Sequence, residues 1–320
     1  MVRSIKYTLA FFRLIRWKNL VIIASTMYLL RWLVFIPLLR KINFDVQISE
    51  PIFLLLVLST LSIGAAGYVI NDYFDRKLDL INRPGKVILG RILTRRAGMF
   101  WHIFLTGIGL LLGVFVSYKL GLLKFCIVFF IISGLLWFYS TTYKRQVLTG
   151  NLVVAFLVAC VPLVVLLFEL PLIIKKYHYY MLYEQSHIDL LAAWVVGYSA
   201  FAFLLTFIRE VVKDLEDFEG DFAYGVNTIP IAWGPDISKK ILYAAVGIIL
   251  IFTAIILFKF RWSLITLIYG LTLVVIPLIW FVLKLAKASK KIDYTRLSLF
   301  IKFIMLSGLI YIVVASFWVI

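Results

Sequence analysis

The chain has 320 residues, of which 63% are hydrophobic and only 15% charged, and its mean hydropathy is +1.03. Soluble domains carry about 25% charged residues, so that class is excluded and a chain dissolved in lipid is indicated. The net charge of +17 suits anionic headgroups as well as an anionic substrate, and cations scattered over several short connections match no nucleic-acid module.

Nine apolar runs are long enough, at about 17 to 25 residues, to cross a hydrocarbon core of roughly 30 Å as helices. They lie near residues 20–39, 51–71, 98–117, 121–139, 150–170, 189–209, 240–259, 262–283 and 298–318. The expected fold is therefore all-α and polytopic, since the alternating ten-residue segments of a barrel do not dominate. No small-residue cleavage site follows the first run, which reads as a retained helix rather than a removed signal. Of the 33 Lys and Arg residues, 23 fall in the N-terminal lead and the connections on its side of the membrane, and eight on the other. This bias predicts a cytoplasmic N-terminus and an external C-terminus.

In chain order, the lead runs Arg13-Leu14-Ile15-Arg16-Trp17-Lys18-Asn19-Leu20 into the first span. Arg16, Trp17 and Lys18 read as snorkelling cations and an interfacial ring. Asn19, just inside the span, either faces a cavity or bonds a neighbouring helix. The second run passes through the small residues Gly64, Ala65, Ala66 and Gly67, then Tyr68, and ends in Asn71-Asp72-Tyr73-Phe74-Asp75-Arg76-Lys77-Leu78-Asp79. On a helix Asp72, Asp75 and Asp79 share one face, with Asn71 one turn before Asp75. Three carboxylates near a helix C-terminus repel one another and oppose its dipole, so a cation between them is expected. Leu80 to Lys86 then forms a Pro-Gly turn presenting Arg83 and Lys86, either as a diphosphate clamp or as ordinary inner-face charge.

The third and fourth runs are mostly featureless, with a weak GxxxG packing signal at Gly109 and Gly113. After the fourth, Tyr139 and Lys144 stand out from an aromatic and cationic cluster, and Asn151 opens the fifth run as a second amide that would face a cavity. Residues 171–188 read as a polar external connection. The sixth run ends in Arg209-Glu210-Val211-Val212-Lys213-Asp214-Leu215-Glu216-Asp217-Phe218-Glu219-Gly220-Asp221. Asp214, Asp217 and Asp221 repeat the first spacing, each 142 residues after its counterpart, and Arg209 and Lys213 accompany them. A salt-bridged helix surface is the plainer alternative. Gly225 to Pro230 forms a turn, and the last three runs carry no comparable cluster. Cys126 and Cys160 lie in spans and read as packing residues, and the three histidines form no zinc pattern.

Magnesium takes oxygen ligands, typically one or two carboxylates plus substrate phosphates. Two acidic faces holding Mg²⁺ with a diphosphate between them would neutralise that group as it leaves an allylic carbon. Aromatic faces would steady the resulting carbocation, and the membrane would dissolve a long isoprenoid tail.

Asn71 to Asp79 reads NDxxDxxxD and Asp217 to Asp221 reads DxxxD. With nine spans, these motifs resemble the UbiA-type intramembrane prenyltransferases over nearly the whole chain. The resemblance implies a single domain over residues 1–320, in which the helices surround a central cavity. It implies metal and diphosphate residues Asn71, Asp72, Asp75, Asp79, Asp214, Asp217 and Asp221, with Asn19, Arg83 and Lys86 near the diphosphate. Two departures stand: Gly85-Lys86-Val87-Ile88 replaces a second Arg-Pro pair, and Lys144 follows Tyr139 by five, leaving Tyr143 in the usual lysine place. The segments Tyr139 to Asn151 and Arg209 to Pro230 most resemble the geranylgeranylglycerol-phosphate geranylgeranyltransferases.

The expected activity is Mg²⁺-dependent transfer of a polyprenyl group from a prenyl diphosphate donor to a lipophilic acceptor, geranylgeranylglyceryl phosphate first. Catalytic roles fall to Asp72, Asp75, Asp217, Tyr139 and Lys144, and substrate contacts to Asn19, Asn71, Arg83, Lys86, Asn151, Arg209 and Lys213. The site would face the cytoplasm from the inner membrane, among membrane lipid and without an obligate protein partner or nucleic acid. Prenylation of an aromatic acceptor in quinone synthesis is the enzymatic alternative. An ion-coupled transporter is the alternative of another class, although its acids would sit near the midplane rather than at one face.

Overall fold

A computed structural model describes residues 2–261 and 263–318, with the side chains of 2–5, 86, 181, 182 and 318 outside the described set. Among the described residues the chain is helical apart from connections and one isolated bridge between Leu89 and Leu93. An N-terminal helix, Val2–Leu14, precedes nine helices that, among the described residues, are long and apolar enough to cross a membrane. These are Trp17–Arg40, Glu50–Asn82, Arg95–Lys119, Leu123–Thr141, Thr149–Tyr180, Tyr183–Glu216, Ile229–Lys259, Leu264–Lys287 and Lys291–Phe317. Each contains or overlaps one of the nine apolar runs, and the protein is an integral, multi-pass membrane protein of the all-α class.

The helices outrun the oil. Glu50–Asn82 has 33 residues, about 50 Å at 1.5 Å per residue, against a hydrocarbon core of roughly 30 Å. Its last turns therefore leave the lipid still helical, and they carry the first acidic motif. The expected polar connection at 171–188 is likewise not a loop. The fifth span continues as an α-helix to Tyr177, a 3-10 turn covers His178–Tyr180, and helix resumes at Met181. Apolarity stops at the lipid surface while backbone hydrogen bonding continues. Two spans widen into π turns, Arg31–Phe35 and Leu271–Val275, each directly before an Ile-Pro pair. A proline lacks the N–H and crowds the carbonyl one turn back, and a wider turn relieves both defects.

Internal packing divides the chain into two units. The first comprises Met1–Tyr28, Val46–Lys144 and Val164–Met181. Its second and third spans lie in close contact, because Gly109 leaves room for Ile63: a Cβ there would stand 2.6 Å from Ile63 Cγ1 and 3.2 Å from the Ser59 carbonyl oxygen. Ser59 Oγ donates to the Gly109 carbonyl at 2.7 Å, joining the two helices. The third span turns Gly109, Gly113, Val116 and Ser117 inward and Phe100, Ile103, Phe104, Leu111 and Phe115 outward. This small-inside, large-outside pattern suits a helix whose outer face meets lipid tails. Near the base of the unit Leu14, Ile15, Ala65, Val69 and Leu89 form a buried cluster under Phe11, Tyr73 and Trp101. That cluster seats the N-terminal helix against the end of the second span, and fully burying Leu14 contributes roughly 2 kcal/mol. Elsewhere in the unit the buried Glu169 carboxylate accepts from the backbone N–H groups of Gln47 and, at 3.2 Å, Ile48.

The second unit comprises Leu29–Asp45, Arg145–Leu163 and Leu182–Ile320. Its core lies where the sixth to ninth spans meet at heptad-like spacing. Leu205, Ile208, Val212 and Leu215 pack with Leu242, Val246 and Ile249, with Leu278, Phe281 and Leu285, and with Leu297, Ile301 and Ile304. Asp214 thus projects from the end of a helix whose last three turns are anchored. The seventh span is broken near its start by Gly234, at φ 86°, followed by Pro235.

Candidate functional site

The first acidic motif lies on one continuous helix through Asn82, so Asp72, Asp75 and Asp79 leave from one face as their spacing predicts. Two of the three are met by cations from elsewhere in the same unit. Arg16 Nη2 donates to Asp72 Oδ1 at 2.9 Å, and the Lys144 ammonium donates to Asp75 Oδ2. Asn71 Nδ2 donates to the same Asp75 oxygen at 2.7 Å, across the single turn the sequence indicated. Asp75 is buried, and a carboxylate there needs these partners. Burial alone would depress the Lys144 ammonium, but Asp75 and the neighbouring Tyr139 outweigh it and hold the ammonium above its ordinary value.

The register question at Tyr139 is resolved by local geometry. The fourth span ends at Thr141, and Tyr143–Arg145 turns as a 3-10 helix. The extra residue is absorbed there, so that Lys144 reaches Asp75 while the Tyr143 ring packs toward Phe138 at 6.2 Å. Asn19 does not bond an aspartate; its Nδ2 donates to Tyr68 Oη at 3.4 Å, one turn before Asp72.

Beyond the motif, Arg83 closes the helix by donating its N–H to the Asp79 carbonyl at 2.9 Å. The Pro84–Lys86 turn follows, and Arg91 Nη1 donates to the Pro84 carbonyl at 2.5 Å. The Lys86 side chain lies outside the described residues. The loop returns through Gly90, whose φ of +83° favours glycine and where a Cβ would stand 2.5 Å from Arg76 Nε. Arg76, inside the motif, thereby braces the segment after Arg83. Arg95 stacks over the Tyr73 ring, 4.5 Å from its centroid.

The second motif departs from its expected shape. The helix stops at Glu216, Asp217 has φ −95° and ψ 8°, and a short helix Phe218–Ala223 follows. Asp214, Asp217 and Asp221 therefore do not share one continuous helix face. The break puts Glu219 and Asp221 in the first turn of a new helix, where acids are favoured. Asp214 Oδ2 accepts from Asn151 Nδ2 at 2.8 Å, so the amide opening the fifth span belongs to this cluster. Arg209 and Lys213 both reach Glu210, at 2.7 and 3.0 Å. Asp221 is buried beside Gly220.

Arg16 and Glu210 were not singled out from the sequence. The Glu210–Lys213 spacing of three is a usable signal for one. Nothing in composition points from Arg16 to a partner 56 residues away.

Hard carboxylate oxygens are the donors Mg²⁺ prefers, and three on one helix face suit it chemically. Among the described residues no three carboxylate, imidazole or thiol groups already converge as a cage. In the first motif the chain's own cations hold two of the three acids.

The model of the UbiA prenyltransferase family matches residues 41–305. A digeranylgeranylglyceryl phosphate synthase of Thermococcus sibiricus is 33% identical over 179 residues, which are 55% of this chain and 54% of that protein. The chain thus spans little more than half the length of such curated relatives. A solved digeranylgeranylglyceryl phosphate synthase structure superposes with a TM-score of 0.64 at 24% identity, covering 99% of both chains. A UbiA homologue from Archaeoglobus fulgidus, solved with GPP and Mg²⁺, has a TM-score of 0.55 at 16% identity, covering 95% of this chain and 99% of its own. These two likenesses establish the fold, and with the family match over most of its length, the chain belongs to the UbiA prenyltransferase family.

Proposed function

We propose that this protein is a Mg²⁺-dependent membrane prenyltransferase that moves a geranylgeranyl group from geranylgeranyl diphosphate to geranylgeranylglyceryl phosphate, forming an ether lipid. The observation that carries the reading is the first motif. Three carboxylates leave one helix face at the edge of an apolar span, and Arg16 and Lys144 come to two of them. Such a cluster offers oxygen ligands to a divalent cation and positive charge to a phosphate in one place. The name of the Thermococcus relative and the Mg²⁺ and GPP bound to the Archaeoglobus homologue support it.

In this reading the chain is one domain around a central cavity, with its N-terminus and its site on the cytoplasmic side. Asp72, Asp75 and Asp79, with Asp214, Asp217 and Asp221, hold the metal, which would supply charge that stabilises the departing diphosphate. Arg83, Lys86, Lys144 and Arg209 steady phosphate oxygens, and Asn19, Asn71, Asn151 and Lys213 orient the groups around them. The Tyr139 ring stabilises the allylic carbocation, and the surrounding apolar helices keep water from it. The acceptor's phosphate meets the same cation-rich mouth.

The test supplies radiolabelled geranylgeranyl diphosphate and Mg²⁺ to membranes containing the protein, with either geranylgeranylglyceryl phosphate or a hydroxybenzoate or naphthoate. Labelled ether lipid is the expected product. Labelled aromatic product would move the acceptor to quinone synthesis, and no transfer to any acceptor would overturn the reading.

A further inference from the structure

Arg16 stands at the junction between the helix Val2–Leu14 and the first span, at φ 50°, a left-handed conformation that a residue with a side chain adopts only under constraint. The Asn19 and Leu20 N–H groups, at 2.8 and 3.4 Å, close back on its carbonyl. This turn brings the guanidinium to the end of the second span, whereas an arginine before a span ordinarily snorkels to the interface. It lies 4.9 Å from the Tyr68 ring centroid and 2.9 Å from Asp72. The Tyr68 hydroxyl is itself held by Asn19, so the turn, the ring and the amide together aim one cation at one carboxylate. The Arg16 side chain is 40% exposed and that of Asp72 20%. An ion pair partly open to solvent is held less firmly than a buried one, a modest return for a strained backbone if its role were only to hold the helices together.

We infer that Arg16 is the resident counter-ion of Asp72: it occupies the carboxylate while no donor is bound, and yields it to a metal when a diphosphate arrives to take the guanidinium in its place. This inference rests on the donor site proposed above. It makes metal and diphosphate binding interdependent, because metal alone must displace Arg16 without offering it a new partner. Arg16 thus holds Asp72 while the site is empty, contacts the diphosphate once the donor is bound, and sets the order of loading.

The test measures Mn²⁺ binding to the purified full chain by electron paramagnetic resonance, with no diphosphate present, beside KM for geranylgeranyl diphosphate. Arg16→Gln is expected to bind Mn²⁺ about fivefold more tightly, the scale of one exposed ion pair removed. The same change should raise KM for the donor about tenfold, as a charged phosphate contact is lost. The double variant Arg16→Gln/Asp72→Asn should lose the gain in Mn²⁺ affinity. Tyr68→Leu keeps every charge but unseats the guanidinium, and it should also tighten Mn²⁺ binding, which covers the case in which Arg16→Gln does not fold. A purely structural Arg16 predicts unchanged or weaker Mn²⁺ binding in Arg16→Gln and Tyr68→Leu, and either result overturns the inference. If transfer activity persists with unchanged Mn²⁺ affinity, the counter-ion role alone falls. If Mn²⁺ binding tightens in the variants while the wild-type protein transfers no prenyl group, the enzyme assignment falls instead.

Discussion

Replacing Lys144 by methionine removes the ammonium that meets Asp75 while keeping a chain of similar length. The Asp75 side chain is only 11% exposed and that of Lys144 29%, so the carboxylate is left with Asn71 as its remaining partner in the motif. Breaking a fully buried pair costs about 3–5 kcal/mol; since nearly a third of the lysine meets solvent, about 2 kcal/mol is expected here. For a chain of this size that corresponds to a fall in Tm of about 3 °C. A charged hydrogen bond to a phosphate contributes about 1.5–3 kcal/mol, so kcat/KM for geranylgeranyl diphosphate should fall roughly 10- to 100-fold. Lys144→Arg keeps the charge and should recover most of the stability. The pH dependence has a definite sign. Lys144 is held above its ordinary value of 10.5, so its stabilisation is complete below that value and is lost only as pH rises through the still higher folded-state value. The gap in Tm between wild type and Lys144→Met should therefore stay constant from about pH 6 to 9. Thermal unfolding in detergent and steady-state kinetics with labelled donor check both halves. A Lys144→Met protein that melts and turns over like wild type would refute the reasoning.

Asp75→Ala and Asp217→Ala should each abolish prenyl transfer while the protein elutes as a folded species in detergent; unchanged activity in either removes that residue from the site. Gly109→Ala forces a Cβ to within 2.6 Å of Ile63 Cγ1 and should cost about 1–3 kcal/mol. Gly107→Ala, in the same helix and meeting nothing within 4 Å, should be neutral or stabilise by up to about 1 kcal/mol by the same melt, and equal losses would contradict the packing account. Glu169→Ala withdraws the acceptor from the backbone N–H groups of Gln47 and Ile48 and should cost about 1–3 kcal/mol. Glu169→Gln, which keeps an acceptor oxygen, should cost less, and the order of their melting temperatures decides.

The nine spans were legible because hydrocarbon thickness sets a minimum length of apolar helix, and each run meets it. Helix ends were less so. Glu50–Asn82 and Thr149–Tyr177 continue past their apolar stretches, because the backbone stays hydrogen-bonded where hydropathy has already fallen. The first motif kept its predicted face since nothing in Asn71 to Asp79 interrupts the helix. The second did not, because the helix breaks at Asp217 and a short helix takes over at Phe218, a break that the acid spacing does not announce. Lys144 stood out in the sequence despite its stretched spacing from Tyr139, but the 3-10 turn that absorbs the extra residue is not visible in spacing alone. Arg16 passed for an interfacial cation because its left-handed φ and its distant partner are tertiary facts.

The central claim is that both acidic motifs serve one diphosphate through divalent cations. An experimental structure of the protein with Mg²⁺ and geranylgeranyl thiodiphosphate tests it most directly. The account predicts metal density ligated by carboxylates of Asp72, Asp75 or Asp79 on one side and Asp217 or Asp221 on the other, with the diphosphate bound to both. Metal and diphosphate held by one motif alone, or by neither, would contradict it.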